Sequence, residues 1–160
     1  MKFKLLFIFL FIIIGCAKNQ FEPSYKINDD LSKLISNNVN HANYMTIIKG
    51  RYYAYEEDNH NILITSQENI ISNVQYCKKV TPKHNDFYKI NHYESLYEVI
   101  KKIGLPIEVL NNNYYYEFIY EISNGQQYKL SFDLNNNDLY LESIYFEIVW
   151  GFLWKKRYFM

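Results

Sequence analysis

Apolar and polar residues alternate in two separate stretches of this chain, and each stretch is led by a short stripe of helical spacing. Leu31, Leu34 and Ile35 share one face of a helix expected from Asp29 to about Asn38, with Asn28 or Asp29 as its N-cap. Three strand-like runs follow, Tyr44–Tyr55, Asn61–Ser66 and Ile70–Lys78, separated by turns at Asp58-Asn59-His60 and Gln67-Glu68-Asn69. Residues 79–92 are polar, contain Pro82 and read as a connector. A second helix is expected from Tyr93, where Leu96, Val99, Ile100 and Ile103 keep the i, i+3, i+4, i+7 spacing of a core-facing stripe. Lys101 and Lys102 suit its C-terminal end, Gly104 supplies a left-handed cap and Pro106 prevents continuation.

Three more strands follow this helix. In Tyr114–Ile122, residues Tyr116, Phe118, Tyr120 and Ile122 alternate with Glu117 and Glu121, and Asn124-Gly125 is a two-residue hairpin signal. Tyr128, Leu130 and Phe132 alternate with Lys129, Ser131 and Asp133, and in Leu139–Val149 the residues Ile144, Phe146 and Ile148 alternate with Ser143 and Glu147. Period two on one wet and one dry face argues antiparallel sheet. The expected fold class is α+β, built as tandem helix-plus-three-stranded antiparallel meander units over residues 29–78 and 93–160. An internal duplication would place Glu94 against Asp29, 65 residues on, and Ile144 against Val74, 70 residues on.

The first 28 residues follow different rules. Lys2 and Lys4 precede a ten-residue apolar run, Leu5–Ile14. As a helix it rises about 15 Å, half of a ~30 Å hydrocarbon core, so it reads as a secretory signal over residues 1–15 rather than a spanning anchor. Its end, Ile13-Ile14-Gly15-Cys16, resembles the lipobox of bacterial lipoproteins. The resemblance implies cleavage between Gly15 and Cys16, a diacylglycerol on the Cys16 sulfur and, usually, acylation of the new amino group. Two or three acyl chains anchor a protein stably where one does not. Residues 16–28 then form a lipidated tether. Ala17, in place of an inner-membrane-retaining aspartate, favours the outer membrane in a host that has two membranes.

Composition narrows the remainder. Without the signal the chain carries 15 basic against 17 acidic side chains, a balance unlike a nucleic-acid binder's. Asn, Ile, Tyr and Lys dominate, and 15 lysines face two arginines, the signature of A/T-rich codons. With Cys16 lipidated, Cys77 has no disulfide partner and reads as a structural thiol in a strand, so a core must hold the fold.

Ile103-Gly104-Leu105-Pro106, the aromatic strand Tyr114–Tyr120 and Leu130-Ser131-Phe132-Asp133 before a polar turn resemble the helix, stop and meander of the β-lactamase-inhibitor-protein-like fold. That fold includes the SmpA-BamE-type lipoproteins of the outer-membrane barrel-assembly machinery. The likeness covers about a third of the chain, departs from the pattern in the first half, and implies a protein that works by binding other proteins.

Catalytic patterns are missing from the sequence. The four histidines, His41, His60, His84 and His92, have no metal-ligand spacing, and neither a nucleophile elbow nor a phosphate-binding glycine loop is present. His84, Asp86 and His92 in the connector are the residual hydrolase candidate, and Glu56-Glu57-Asp58 reads as a solvated tip. Tyr52, Tyr53 and Tyr55 with Tyr114, Tyr115 and Tyr116 place rings on both faces of two strands, so Tyr53, Tyr55, Tyr114 and Tyr115 form the candidate binding surface. The aromatic and basic tail from Trp150 to Met160 either prolongs the last strand or rests at a membrane interface. The expected function is a non-enzymatic, membrane-anchored protein-binding module of the cell envelope, with no cofactor, metal or nucleic acid. The alternative is an envelope glycan or small-ligand binder using a tyrosine-rich face.

Overall fold

The computed structural model describes residues 21–37, 41–112, 114–123, 126–135, 138–150 and 154–159. Gly15, Cys16 and the signal segment, the Asn124-Gly125 turn and the side chains of the aromatic tail lie outside the described residues. The order is α1 (Leu31–Ser36), β1 (Ala42–Ile48), β2 (Tyr52–Glu57), β3 (His60–Gln67), β4 (Ile70–Lys78), α2 (His84–Phe87), α3 (Leu96–Ile103), β5 (Glu108–Asn112), β6 (Tyr115–Ser123), β7 (Gln126–Asn135), β8 (Asp138–Trp150) and β9 (Trp154–Phe159). Strands β1–β4 form one antiparallel meander and β5–β9 another.

The chain is α+β in the broad sense, with sheet outweighing helix, but it does not build units of one helix and three strands. The expected strand Tyr44–Tyr55 is a hairpin, because the chain reverses at Gly50 (φ +78°), where the Arg51 N–H bonds the Ile48 carbonyl. Strand β5 lies where no alternation marked a strand. The expected 79–92 connector contains α2, held at its start by the Lys83 N–H on the Asp86 carboxylate. The cap of α1 is Asp30, which accepts the Ser32 N–H at 2.7 Å. Ser95 caps α3.

Packing explains why the two halves are not separate units. One face of the first sheet places Tyr53, Tyr55, Ile62, Ile64 and Ile71 against Tyr25, Leu31 and Leu34. Its other face sends Ile47, Tyr52, Ala54 and Leu63 into a core shared with α3 and with Phe118, Tyr120, Tyr128, Leu130, Phe132, Leu139 and Leu141 of the second sheet. Helix α3 therefore lies between the sheets, touching β3, β4 and β8. Strand β2 is covered on both sides, so Tyr52-Tyr53-Ala54-Tyr55 is apolar without alternation.

Local geometry nevertheless recurs between the halves. Asn28 and Tyr93 have φ of 75° and 63°. The Asn28 N–H donates to the Ile71 carbonyl and the Ile71 N–H to Asp29, at 2.8 and 2.9 Å; Tyr93, Leu141 and Glu94 make the same pair of bonds at the same lengths. Both cap residues form isolated bridges, Asp30 to Ile70 and Ser95 to Tyr140. Register shifts fall between Thr65 and Ser66 in one meander and between Ser131 and Phe132 in the other.

Candidate binding surface

The expected tyrosine surface divides in two. Tyr53 and Tyr55 are 2% and 0% exposed, so they belong to the core and not to a binding face; the doubly covered strand β2 is the physical reason. Burial pushes the Tyr55 hydroxyl well above its ordinary pKa, with the Glu57 and Tyr25 charges adding to the effect. Tyr114 is 88% exposed at the β5–β6 turn, and Tyr115 beside it is half-buried at the start of β6. Only this pair remains available as surface.

The connector residues are not brought into one constellation. His84 is held between two phenols, Tyr88 on Nε2 at 3.0 Å and Tyr128 on Nδ1 at 2.9 Å. Asp86 accepts from Lys89 and from the Lys83 backbone, while the His92 Nδ1 bonds the Glu142 carbonyl. Each group is engaged in holding a turn. The acidic tip is engaged too: Glu56 pairs with Lys79 at 2.6 Å and Glu57 accepts both the Ser24 N–H and its hydroxyl. Half-burial pushes the Cys77 thiol up, which opposes thiolate reactivity. Among the described residues, no three His, Cys, Asp or Glu side chains converge as a metal site.

Sheet edges distinguish the surfaces that remain. An edge strand offers unpaired backbone groups to any passing chain. Strand β4 is met by the 28–31 segment at its start, and the Tyr97 hydroxyl donates to the Tyr76 carbonyl at 2.9 Å. The first part of β8 is met by residues 92–95 and its later part by β9. Strand β1 carries two register shifts and a positive φ at Asn43, which kink it. Strand β9, the far edge of the second sheet, has a ladder to β8 without a shift, and β5 is the other regular edge of that sheet. Its ladder to β6 runs without a shift from Glu108↔Ile119 to Asn112↔Tyr115, and among the described residues it pairs on one side only.

The surroundings of β5 are apolar and acidic. Ile107 and Leu110 are 59% and 37% exposed, and Tyr114 closes the turn. Register places Glu108, Leu110 and Asn112 on the face that carries Tyr115, Glu117, Ile119 and Glu121. Ile107, Glu108 and Leu110 escape sequence reading because no periodicity marks an exposed five-residue edge strand; the only hint is the apolar-polar mixture directly after the Pro106 stop.

A separate groove of about 560 Å³ opens where the chain enters the domain. Phe21, Pro23, Tyr25, Ile27, Val74 and Tyr76 wall it, and the Glu22–Lys26 ion pair at 2.5 Å borders it. Phe21 is fixed by a face-to-face stack on His60 at 3.9 Å and an edge contact to Tyr76.

No family model matches the chain. No curated protein is detectably similar to it, and no solved structure matches its fold.

Proposed function

We propose that this chain is a lipid-anchored, non-catalytic protein-binding module of a bacterial cell envelope, and that it binds through the β5–β6 edge of its second sheet. The observation that carries the binding surface is β5, a regular outer strand that bears exposed Leu110 and is flanked by exposed Ile107 and Tyr114. The anchor rests on the signal-like run and the Ile13-Ile14-Gly15-Cys16 sequence, with the outer membrane as the destination in a two-membrane host. The likeness of residues 94–149 to lipoproteins of barrel assembly, which act by binding proteins, favours the same reading. Gly104, Pro106 and the aromatic strand that carry this likeness are structural positions, so it bears on fold before it bears on a partner.

A photo-crosslinking residue at Tyr114, introduced in cells, tests the proposal. Capture of a specific envelope protein, reduced when Cys16→Ser removes the anchor, is the expected result. Absence of any specific adduct at Tyr114, with the protein present and folded, refutes the β5–β6 assignment.

The second reading, a glycan or small-ligand binder, draws on the aromatic-walled groove at residues 21–27. Five peptide units from Cys16 to Phe21 extend at most about 18 Å, so a lipidated chain holds this groove close to the membrane surface. Saturable binding of envelope glycan that is lost in Tyr76→Ala, without any adduct at Tyr114, favours this reading over the first.

A further inference from the structure

We propose that β5 accepts a cationic extended segment of a partner protein as an added strand, selected by Glu108, Glu117 and Glu121. The inference rests on the protein-binding reading above and names the chemistry of the partner. Glu108 stands opposite Ile119, and Glu117 and Glu121 lie two residues to either side of Ile119 on β6. Strand alternation puts all three carboxylates on one face around that isoleucine, with diagonal neighbours about 7–8 Å apart. Glu108 and Glu121 are exposed and Glu117 is half-buried. Among the described residues, none of the three has a basic group within ion-pair distance.

The same face shows what satisfies such a carboxylate. Lys129 on β7 stands opposite Ile119, between Glu117 and Glu121, and pairs with Glu147 on β8 at 3.0 Å. Cross-strand neutralisation is thus already in use on the strand next to β6, where the lysine beside Glu117 and Glu121 is engaged by Glu147, while Glu108 at the outer edge has no strand beyond it among the described residues. A strand added beside β5 supplies a cation to Glu108 from the position a neighbour would occupy, and its backbone bonds the open edge. The register also sets the order of side chains. Leu110 follows Glu108 on this face and lies opposite Glu117. The incoming strand therefore presents a basic residue opposite Glu108 and an apolar one, two positions along, opposite Leu110. Charge complementarity decides the class of partner and speeds encounter; the backbone ladder supplies the adhesion.

A simpler role for the carboxylates is to guard an open edge against self-association. The test separates the two. The mature lipidated protein in non-ionic detergent is titrated with a synthetic peptide alternating lysine and valine, and with its glutamate–valine counterpart. Amide hydrogen exchange is followed at residues 108–112. The lysine peptide is expected to bind and to slow exchange there, and the glutamate peptide to leave it unchanged. Binding is expected to weaken up to about fivefold in Glu108→Gln/Glu117→Gln, chiefly from the one cross-strand pair at Glu108, worth up to about 1 kcal/mol, and to weaken further with added salt. Equal affinity in the double variant, or binding without protection of residues 108–112, overturns the proposal. So does self-association of the double variant in place of weakened peptide binding, which assigns the carboxylates to guarding the edge. Capture of an envelope protein at Tyr114, with the lysine peptide ignored, refutes this inference and leaves the proposed function intact.

Discussion

Gly104→Ala isolates one point at which the two halves of the molecule meet. Gly104 ends α3 with φ +81° and ψ −168°, a combination that residues with a Cβ rarely adopt. Its N–H donates to the Ile100 carbonyl at 2.7 Å and its own carbonyl accepts the buried Tyr120 hydroxyl at 3.3 Å, so the peptide cannot rotate freely to relieve strain. A Cβ here would lie 2.3 Å from the Val80 carbonyl oxygen and 3.3 Å from its carbon. Those are backbone atoms of the segment after β4, and they can yield only if the chain moves. The conformation alone costs about 1–3 kcal/mol, and the contact adds to it, for a total of about 2–4 kcal/mol. Against a typical native stability of about 5–15 kcal/mol this is a large fraction, and it lowers the melting temperature by roughly 5–15 °C. Gly50→Ala is the matched control. Gly50 has φ +78° but nothing within 4 Å of an added Cβ, so it carries the backbone term without the clash. Urea denaturation followed by circular dichroism should show Gly104→Ala less stable than Gly50→Ala by about 1–2 kcal/mol, from the Val80 contact together with the extended ψ of −168° at Gly104. Equal losses, within about 0.5 kcal/mol, would refute the close approach of α3 to Val80.

Two further consequences concern polar groups in the core. The Tyr55 hydroxyl is buried without a hydrogen-bond partner among the described residues. Tyr55→Phe is therefore expected to leave stability unchanged or raise it by up to about 1 kcal/mol, while Tyr128→Phe, which removes the bond to His84, costs about 1 kcal/mol. Chemical denaturation checks both, and a loss above about 1 kcal/mol in Tyr55→Phe contradicts the packing of β2. Burial tends to raise the Glu94 carboxyl, but hydrogen bonds from Lys102 and Asn91 outweigh it and hold the pKa below its ordinary value. A depressed folded-state pKa contributes stability that is present above the unfolded carboxylate range and is lost as pH falls through the folded value. Glu94→Gln is expected to flatten the acid limb of a stability-versus-pH curve below about pH 4.5, with its largest cost near neutrality. An unchanged acid limb would show that the Glu94–Lys102 contact carries no linkage.

Sequence periodicity was enough for elements with one covered face. Helix α3 has an apolar stripe and a glycine stop, both local signals, and its core residues are those the stripe predicts, although it starts at Leu96 behind the Ser95 cap and not at Tyr93. Strand β4 begins and ends where its pattern does. Both two-residue turns of the first meander have the positive φ values, at Asp58, Asn59, Glu68 and Asn69, that hairpins of this length need. The candidate surface was half legible: Tyr114 stands out at a turn, whereas Tyr53 and Tyr55 could not be assigned to core or surface from strand membership alone.

What only tertiary structure decided is how many faces each element has covered. Alternation reports a face against water, and β2 has none, because α1 and the 21–31 segment cover one side and α3 with the second sheet covers the other. The same long-range packing turns two runs of similar plan into one shared core instead of separate units. It also decides which edges remain open, since closure of β4 by residues 28–31 and of β8 by residues 92–95 depends on contacts between segments distant in sequence. Hydropathy along the chain records what each residue prefers as a neighbour. Which neighbour it obtains is set when the sheets meet.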